Sequence, residues 1–215
     1  MASKVREKIV NAAIDRFHAL GFTACSVQDI VDKAGLPKGT FYNYFKAKEL
    51  LALEVLEIYG QDCKRETLSD KTLAPLDRIR NHFEFMAVRF ARSGYDKGCL
   101  ICNFAAETSE AMPLVREALH QSLDALSELV EVAIREGQSE GSIVADLDAG
   151  KVARFLTNSW EGAVIRMKVV NSREPLDDFF SIAFSLLARP QSNSRAPRKS
   201  AARVATKRVG SPPTK

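Results

Sequence analysis

With 215 residues, 46% of them hydrophobic, the chain can bury a real core, in one large domain or two small ones. Its net charge of +4 is unevenly spread: residues 1–50 carry eight Lys/Arg against five acids, residues 190–215 carry seven and no acid, and the segment between is left at −6, a pattern that points to a polyanion partner at the ends and another partner in the middle. No apolar run is long enough to span a membrane and the first fifteen residues do not resemble a secretory signal, so a cytoplasmic protein is expected, with its four cysteines (Cys25, Cys63, Cys99, Cys102) reduced.

The pattern along the chain predicts an all-α fold. Ile9, Ala12, Ala13, Phe17 and Leu20 recur at helical spacing, and Gly21 ends that helix. Ser26 with Asp29 three residues on is a capping box, Asp standing for the commoner Glu, and it opens a short helix that reaches Ala34. Gly35-Leu36-Pro37 breaks this helix; a third runs from about Lys38 to Phe45, and a fourth starts near Lys48. Longer helices follow: Pro75 to Ser93-Gly94, Cys99 to Glu107, Pro113 to Gly137–Gly141, Leu147 to Val170, and Pro175 to Pro190. From Pro190 onward Ser, Pro, Arg, Lys and Ala dominate, so residues 190–215 are expected to be a disordered basic tail that adds sequence-independent phosphate contacts.

Two short helices joined by a glycine-containing turn and braced by a third have the layout of a helix-turn-helix unit, whose second helix enters the major groove by its N-terminal end. Here that end reads Lys38-Gly39-Thr40. Gly39 allows close backbone approach to a phosphate, and Thr40 can donate to a phosphate or touch a thymine methyl. Phe41 and Phe45 are four apart and should pack inward, while Tyr42 and Tyr44 offer hydroxyls on stiff rings. Lys48 is expected at a phosphate, as are the N–H groups of the helix capped by Ser26. Gln28 and Asn43 complete the expected DNA-contact set.

The segment resembles the DNA-binding domain of the TetR family of repressors. The family's G-x-x-x-G-x-x-Y-x-Y-F-x-x-K-x-x-L pattern is matched by Gly35, Gly39, Tyr42, Tyr44, Phe45, Lys48 and Leu51, and "AAIDRFHALGF" is similar to its first helix. The resemblance implies a homodimer on a near-palindromic DNA operator and a pocket for a small-molecule inducer in the C-terminal helices. It also implies a division into a helix-turn-helix domain (1–50), a ligand-binding and dimerisation domain (51–189) and the tail. A dimer through the last two helices is suggested separately by their apolar stripes. Leu176, Phe179, Phe180, Ala183 and Leu187 form one; Val152, Leu156, Ala163, Val164 and Met167 offer the other.

"DKGCLICNFAAE" (96–107) places Cys99 near a helix start beside Lys97, conditions that lower a thiol pKa. With Gly98, Leu100, Asn103 and Glu107, and with Trp160, Glu161, Gly162, Ala163, Arg166 and Lys168 farther on, it resembles an acrylate- and electrophile-responsive branch of the family. That resemblance implies a small sensor pocket in which Cys99 reacts, Cys102 acting as a resolving thiol or a small buried side chain. Lys168 near Cys99 would stabilise a thiolate, and Arg166 would bind a carboxylate or close an ion pair. These two are two residues apart and cannot both line one pocket. No metal site or cofactor is expected, because His18, His82 and His120 stand alone and there is no second CxxC. Two other functions compete. A CxxC thiol oxidoreductase lacks the expected βαβ pattern, and an architectural DNA-binding protein would lean on the basic tail.

Overall fold

A computed structural model describes residues 2–188. Among them the elements are α1 (Ala2–Ala24), α2 (Val27–Ala34), α3 (Lys38–Tyr42), α4 (Lys48–Gln61), a 3-10 helix (Arg65–Ser69), α5 (Pro75–Arg92), α6 (Leu100–Glu107), α7 (Pro113–Glu140), α8 (Ala149–Val170) and α9 (Glu174–Leu187). The described residues contain no strand; a lone bridge between Ile143 and Ala188 ties the turn after α7 to the end of α9. The basic segment 190–215 lies outside the described residues.

Local chemistry sets most boundaries. The Ser26 hydroxyl accepts from the Asp29 N–H at 3.1 Å, and the Asp29 carboxylate accepts from the Ser26 N–H at 2.7 Å, so the capping box is closed. Gly35 ends α2 in the left-handed region (φ 67°), and Gly141 ends α7 the same way (φ 81°). Proline sits in the first turn of α5, α7 and α9, where its missing N–H costs nothing. Gly21 breaks α1 rather than ending it: at φ 77° the helix kinks and resumes to Ala24. The third helix is shorter than the sequence suggests. It stops at Tyr42, and the Tyr44 and Phe45 N–H groups both turn back to the Phe41 carbonyl. That tight turn still places Phe45 against Phe41, with ring centroids 5.8 Å apart.

α1, α2 and α3 pack around Phe17, Ile30, Val31 and Phe41, while α4 touches both α1 and α7 and so belongs to both halves of the molecule. In the C-terminal half, Arg78 is buried and its guanidinium reaches Glu136 at 2.5 Å, joining α5 to α7. An aromatic cluster of Phe83, Phe90, Trp160, Phe179 and Phe180 fills the space between α5, α8 and α9.

That cluster corrects the residue assignment for a dimer. Leu176, Phe179, Phe180, Ala183 and Leu187 are all buried inside one chain, as are Leu156, Val164 and Met167; Val152 and Ala163 are half-buried against the same core. An apolar stripe satisfies its nearest partner first, and here α5 and α8 reach α9 within the chain. The opposite faces remain open. On α8 they carry Phe155, Gly162, Ile165 and Val169, at spacings of seven, three and four; on α9 they carry Ile182 and Leu186. Phe155 is 59% exposed and Val169 80%. A Cβ on Gly162 would meet nothing within 4 Å. The chain itself therefore does not require a glycine there, although mid-helix glycine costs about 1 kcal/mol relative to alanine.

Candidate functional site

The expected DNA-contact residues fall on one end of the molecule. Gln28, Lys38, Gly39, Tyr42 and Asn43 are exposed, Thr40 and Tyr44 are half-buried, and Phe41 and Phe45 are buried beneath them. The aromatic pairs thus divide as expected, except that Tyr44 also packs against the core. Gly39 has open space where a Cβ would be. Three members of the set are engaged inside the unit, Gln28 by donating its Nε2 to Asp32 Oδ1 at 2.7 Å. Ser26 donates its hydroxyl to Asp29 within the capping box. Lys48 donates to the Phe22 and Cys25 carbonyls, each at 2.7 Å, and its ammonium sits 4.3 Å from the Phe22 ring centroid. Two of its three N–H bonds are therefore used to fix the start of α4 to the end of α1.

The second site is a cavity of about 40 Å³ between the 3-10 helix and α5, α6, α7 and α8. Cys99, Cys102, Trp160 and Glu161 line it, as the sequence suggests, and so do Cys63, Arg65 and His82, which carry no motif and were not anticipated. Their signal is only spatial: three thiols, a guanidinium and an imidazole meet because three separate segments converge. Arg166 does not join them. It is exposed on the outward face of α8, opposite Trp160, because their spacing of six residues puts them on different sides of the helix. Lys168 is also exposed, but its chain lies over the loop before α6. Its Nζ donates to Asn103 Oδ1 at 3.2 Å, and its Cδ would stand 3.2 Å from a Cβ on Gly98. Asn103 in turn donates to the Lys97 carbonyl at 3.1 Å, which holds the loop against the first turn of α6.

The thiols are chemically unlike. Cys99 is half-buried at the N-cap of α6 with extended backbone (φ −85°, ψ 127°). Its pKa is lowered to about 7, chiefly by the Cys102 side chain, then by the first-turn amides of Cys102 and Ile101 and by the Tyr59 hydroxyl, with burial opposing. Cys102 is raised by its partner's sulfur and by burial, and Cys63 is raised to about 11 by burial. Cys99 is therefore the most readily ionised, and so the most nucleophilic, of the three thiols. Burial alone raises the Glu161 pKa. All four cysteines are free thiols.

Burial also lowers the His82 pKa from 6.5 to about 4. The unfolded chain takes up this proton near 6.5 and the folded chain only near 4, so stability is full above 6.5 and falls as pH drops between those values. At pH 5 the loss from this one side chain should be about 2 kcal/mol. Urea unfolding at pH 7 and pH 5 reads it, and His82→Phe should show a smaller drop than wild type. Equal drops would place the acid sensitivity elsewhere.

α6 connects the two sites by direct contact. Its buried Phe104 ring meets Phe17 at 5.3 Å and Phe22 at 5.4 Å. Its last residue, Glu107, accepts from the Phe22 N–H at 3.1 Å and the Thr23 N–H at 2.7 Å, just past the kink at Gly21. A Cβ on Gly21 would fall 2.2 Å from Glu107 Oε1, so the glycine serves both the positive φ and the close approach. Phe22 then passes the connection to Lys48 through its carbonyl.

Known proteins share this fold. The family described as "Bacterial regulatory proteins, tetR family" matches residues 9–55, and "Tetracyclin repressor-like, C-terminal domain" matches residues 75–183. The chain is 38% identical over 186 residues to the HTH-type transcriptional repressor DhaR of Mycobacterium sp. (strain GP1), covering 85% of this chain and 92% of that protein. It is 30% identical to the transcriptional regulator AcuR of Cereibacter sphaeroides over 83% of each, and 26% identical to the transcriptional repressor NemR of Escherichia coli over 79% of this chain and 87% of NemR. Among solved structures, a regulatory protein TetR from Rhodobacter sphaeroides superposes with a TM-score of 0.78 at 29% identity, covering 85% of this chain and 98% of that one. The reduced form of E. coli NemR gives 0.77 at 26% identity, covering 87% and 99%.

Proposed function

The chain belongs to the TetR family of bacterial transcriptional regulators, and from that premise we propose that it is a dimeric repressor released from a palindromic operator by a small or thiol-reactive inducer. The observation that carries this reading is the unbroken run of contacts from Cys99, through α6, to the Phe22–Lys48 junction under the helix-turn-helix unit. Lys38, Gly39, Thr40, Tyr42 and Asn43 form the DNA face, supported by Gln28 and by the remaining N–H of Lys48. Tyr44 anchors that face to the core. The division into a DNA-binding unit over residues 1–50 and an inducer and dimer unit over 51–189 follows, with α4 as the element common to both.

In this reading Cys99 is the reacting thiol, and Lys168 and Asn103 fix the loop that carries it. Modification of Cys99 changes the cap of α6, and α6 cannot shift without pulling Glu107 from the amides past the α1 kink. The dimer is built by the exposed faces of α8 and α9, with Gly162 allowing the two α8 helices to approach closely. The protein is a regulator rather than an enzyme, and among the described residues no helix is long and apolar enough to cross a membrane.

The test uses duplex DNA flanking the protein's own gene with unrelated duplex as competitor. Lys38→Ala should weaken binding at least about tenfold across sequences and reduce the salt slope by about two, because it removes one phosphate contact from each half-site. Tyr42→Phe, which keeps the ring, should cost a few-fold. Neither residue is buried, so melting temperatures should not move. Affinity that is the same for every duplex would favour an architectural DNA-binding protein instead.

A further inference from the structure

The cavity beside Cys99 has a polar end that the thiols do not explain. His82 is 2% exposed, and its Nδ1 has no hydrogen-bond partner among the described residues. Arg65 Nε is buried and likewise without a partner, although the same guanidinium donates from Nη2 to Ser122 Oγ at 2.8 Å and is thereby held in place. Both side chains line the cavity. A buried polar atom left unmatched costs about 1–3 kcal/mol, so two at one cavity mark a place built for a guest. With the ring proton on Nε2, the unpartnered Nδ1 of His82 is an acceptor, whereas Arg65 Nε is a donor. The guest must therefore present one acceptor and one donor a short distance apart.

Size and surroundings narrow the class. About 40 Å³ admits only a few heavy atoms. The rest of the wall joins Met86, Ile101, Leu126 and Trp160 to the three thiols and the Glu161 carboxyl, whose pKa burial raises. The fixed cation of Arg65 favours a carboxylate or a strongly polar carbonyl oxygen as the acceptor. We propose that Arg65 and His82 form a subsite for a small hydroxy-carbonyl compound of about three carbons, its carbonyl or carboxylate oxygen on Arg65 Nε–H and its adjacent hydroxyl donating to His82 Nδ1. The proposal rests on reading this cavity as the inducer site and specifies what that site holds. Arg65 and Ser122 also line a larger open cleft of about 850 Å³ between α4 and α7, so the bond between them stands where cleft and cavity meet and marks the way in.

Calorimetric titration of the full chain with lactate, propionate and 1,2-propanediol tests it. Propionate lacks the hydroxyl and propanediol lacks the carboxylate. Lactate should bind at least tenfold more tightly than either. Arg65→Gln should bring lactate down to the level of propanediol, and His82→Phe should bring it down to the level of propionate while leaving propionate unchanged. The wild-type series stands even where a variant folds poorly. Equal affinity for all three probes, or saturation by none, overturns the subsite and leaves the cavity to water. Operator release is measured separately: lactate that binds without releasing DNA keeps the subsite and removes the inducer reading of the cavity.

Discussion

Phe155→Asp combined with Ile182→Asp should turn the protein into a monomer and weaken operator binding by at least about a hundredfold. Each protomer presents one helix-turn-helix unit, so an undivided dimer engages two half-sites and gains the effective concentration of the second. Phe155 and Ile182 stand on the outward faces of α8 and α9, clear of the aromatic cluster around Trp160. Phe155 also borders an apolar cleft of about 330 Å³ with Leu147, Val152 and Leu186, a surface that a second copy would fill. Placing two carboxylates there buries unpaired charge in the dimer while leaving the interior of each chain unchanged. Sedimentation and a fluorescence-anisotropy titration measure both parts. A variant that remains dimeric, or a monomer with undiminished operator affinity, would show that assembly uses another surface.

Glu107→Ala should separate the inducer site from the DNA-binding unit. The carboxylate holds two amides of the α1 end, and hydrogen bonds to a charged group contribute about 1.5–3 kcal/mol each. Thr23 is exposed and water replaces part of its loss, whereas the Phe22 amide is part-buried and keeps more of the penalty. A net loss of about 2 kcal/mol in unfolding free energy is expected. The larger effect is on response: Cys99 should react at the wild-type rate, but a dose that frees the wild-type protein should leave most of the variant on DNA. Mass spectrometry of the thiol and anisotropy of the operator read the two halves separately. Full release by the variant would place the coupling elsewhere, with Tyr59 of α4 beside Cys99 the next contact to alter.

Much of this architecture is written locally in the chain. The Ser26–Asp29 box, Gly35, Gly141 and the first-turn prolines are short-range signals, and the helices they bound are found where the periodicity places them. Phe41 and Phe45 are both buried as their spacing suggests, although a tight turn after Tyr42 rather than a continued helix brings Phe45 there. What the sequence withholds is which partner satisfies an apolar stripe. The face of α9 that reads most strongly as an interface is the one its own chain consumes, and the true exposed face shows only as Ile182 and Leu186 among polar neighbours. The cavity shows the same limit. Cys99 and Cys102 announce themselves by motif, but Arg65 and His82 sit in segments without pattern and acquire meaning only when the 3-10 helix and α5 close on α6. Arg166, drawn in by its place in a motif, falls on the wrong side of α8.

Operator release by a thiol-reactive electrophile, with wild type beside Cys99→Ser, tests the central claim most directly. DNA flanking the gene is bound first, a soluble maleimide is added, and anisotropy follows dissociation. The account predicts that wild type leaves the operator as Cys99 is modified and that Cys99→Ser, binding DNA with unchanged affinity, stays on it at the same dose. Equal release from both proteins would contradict it, because the trigger would then lie at another thiol or outside the Cys99 cavity altogether.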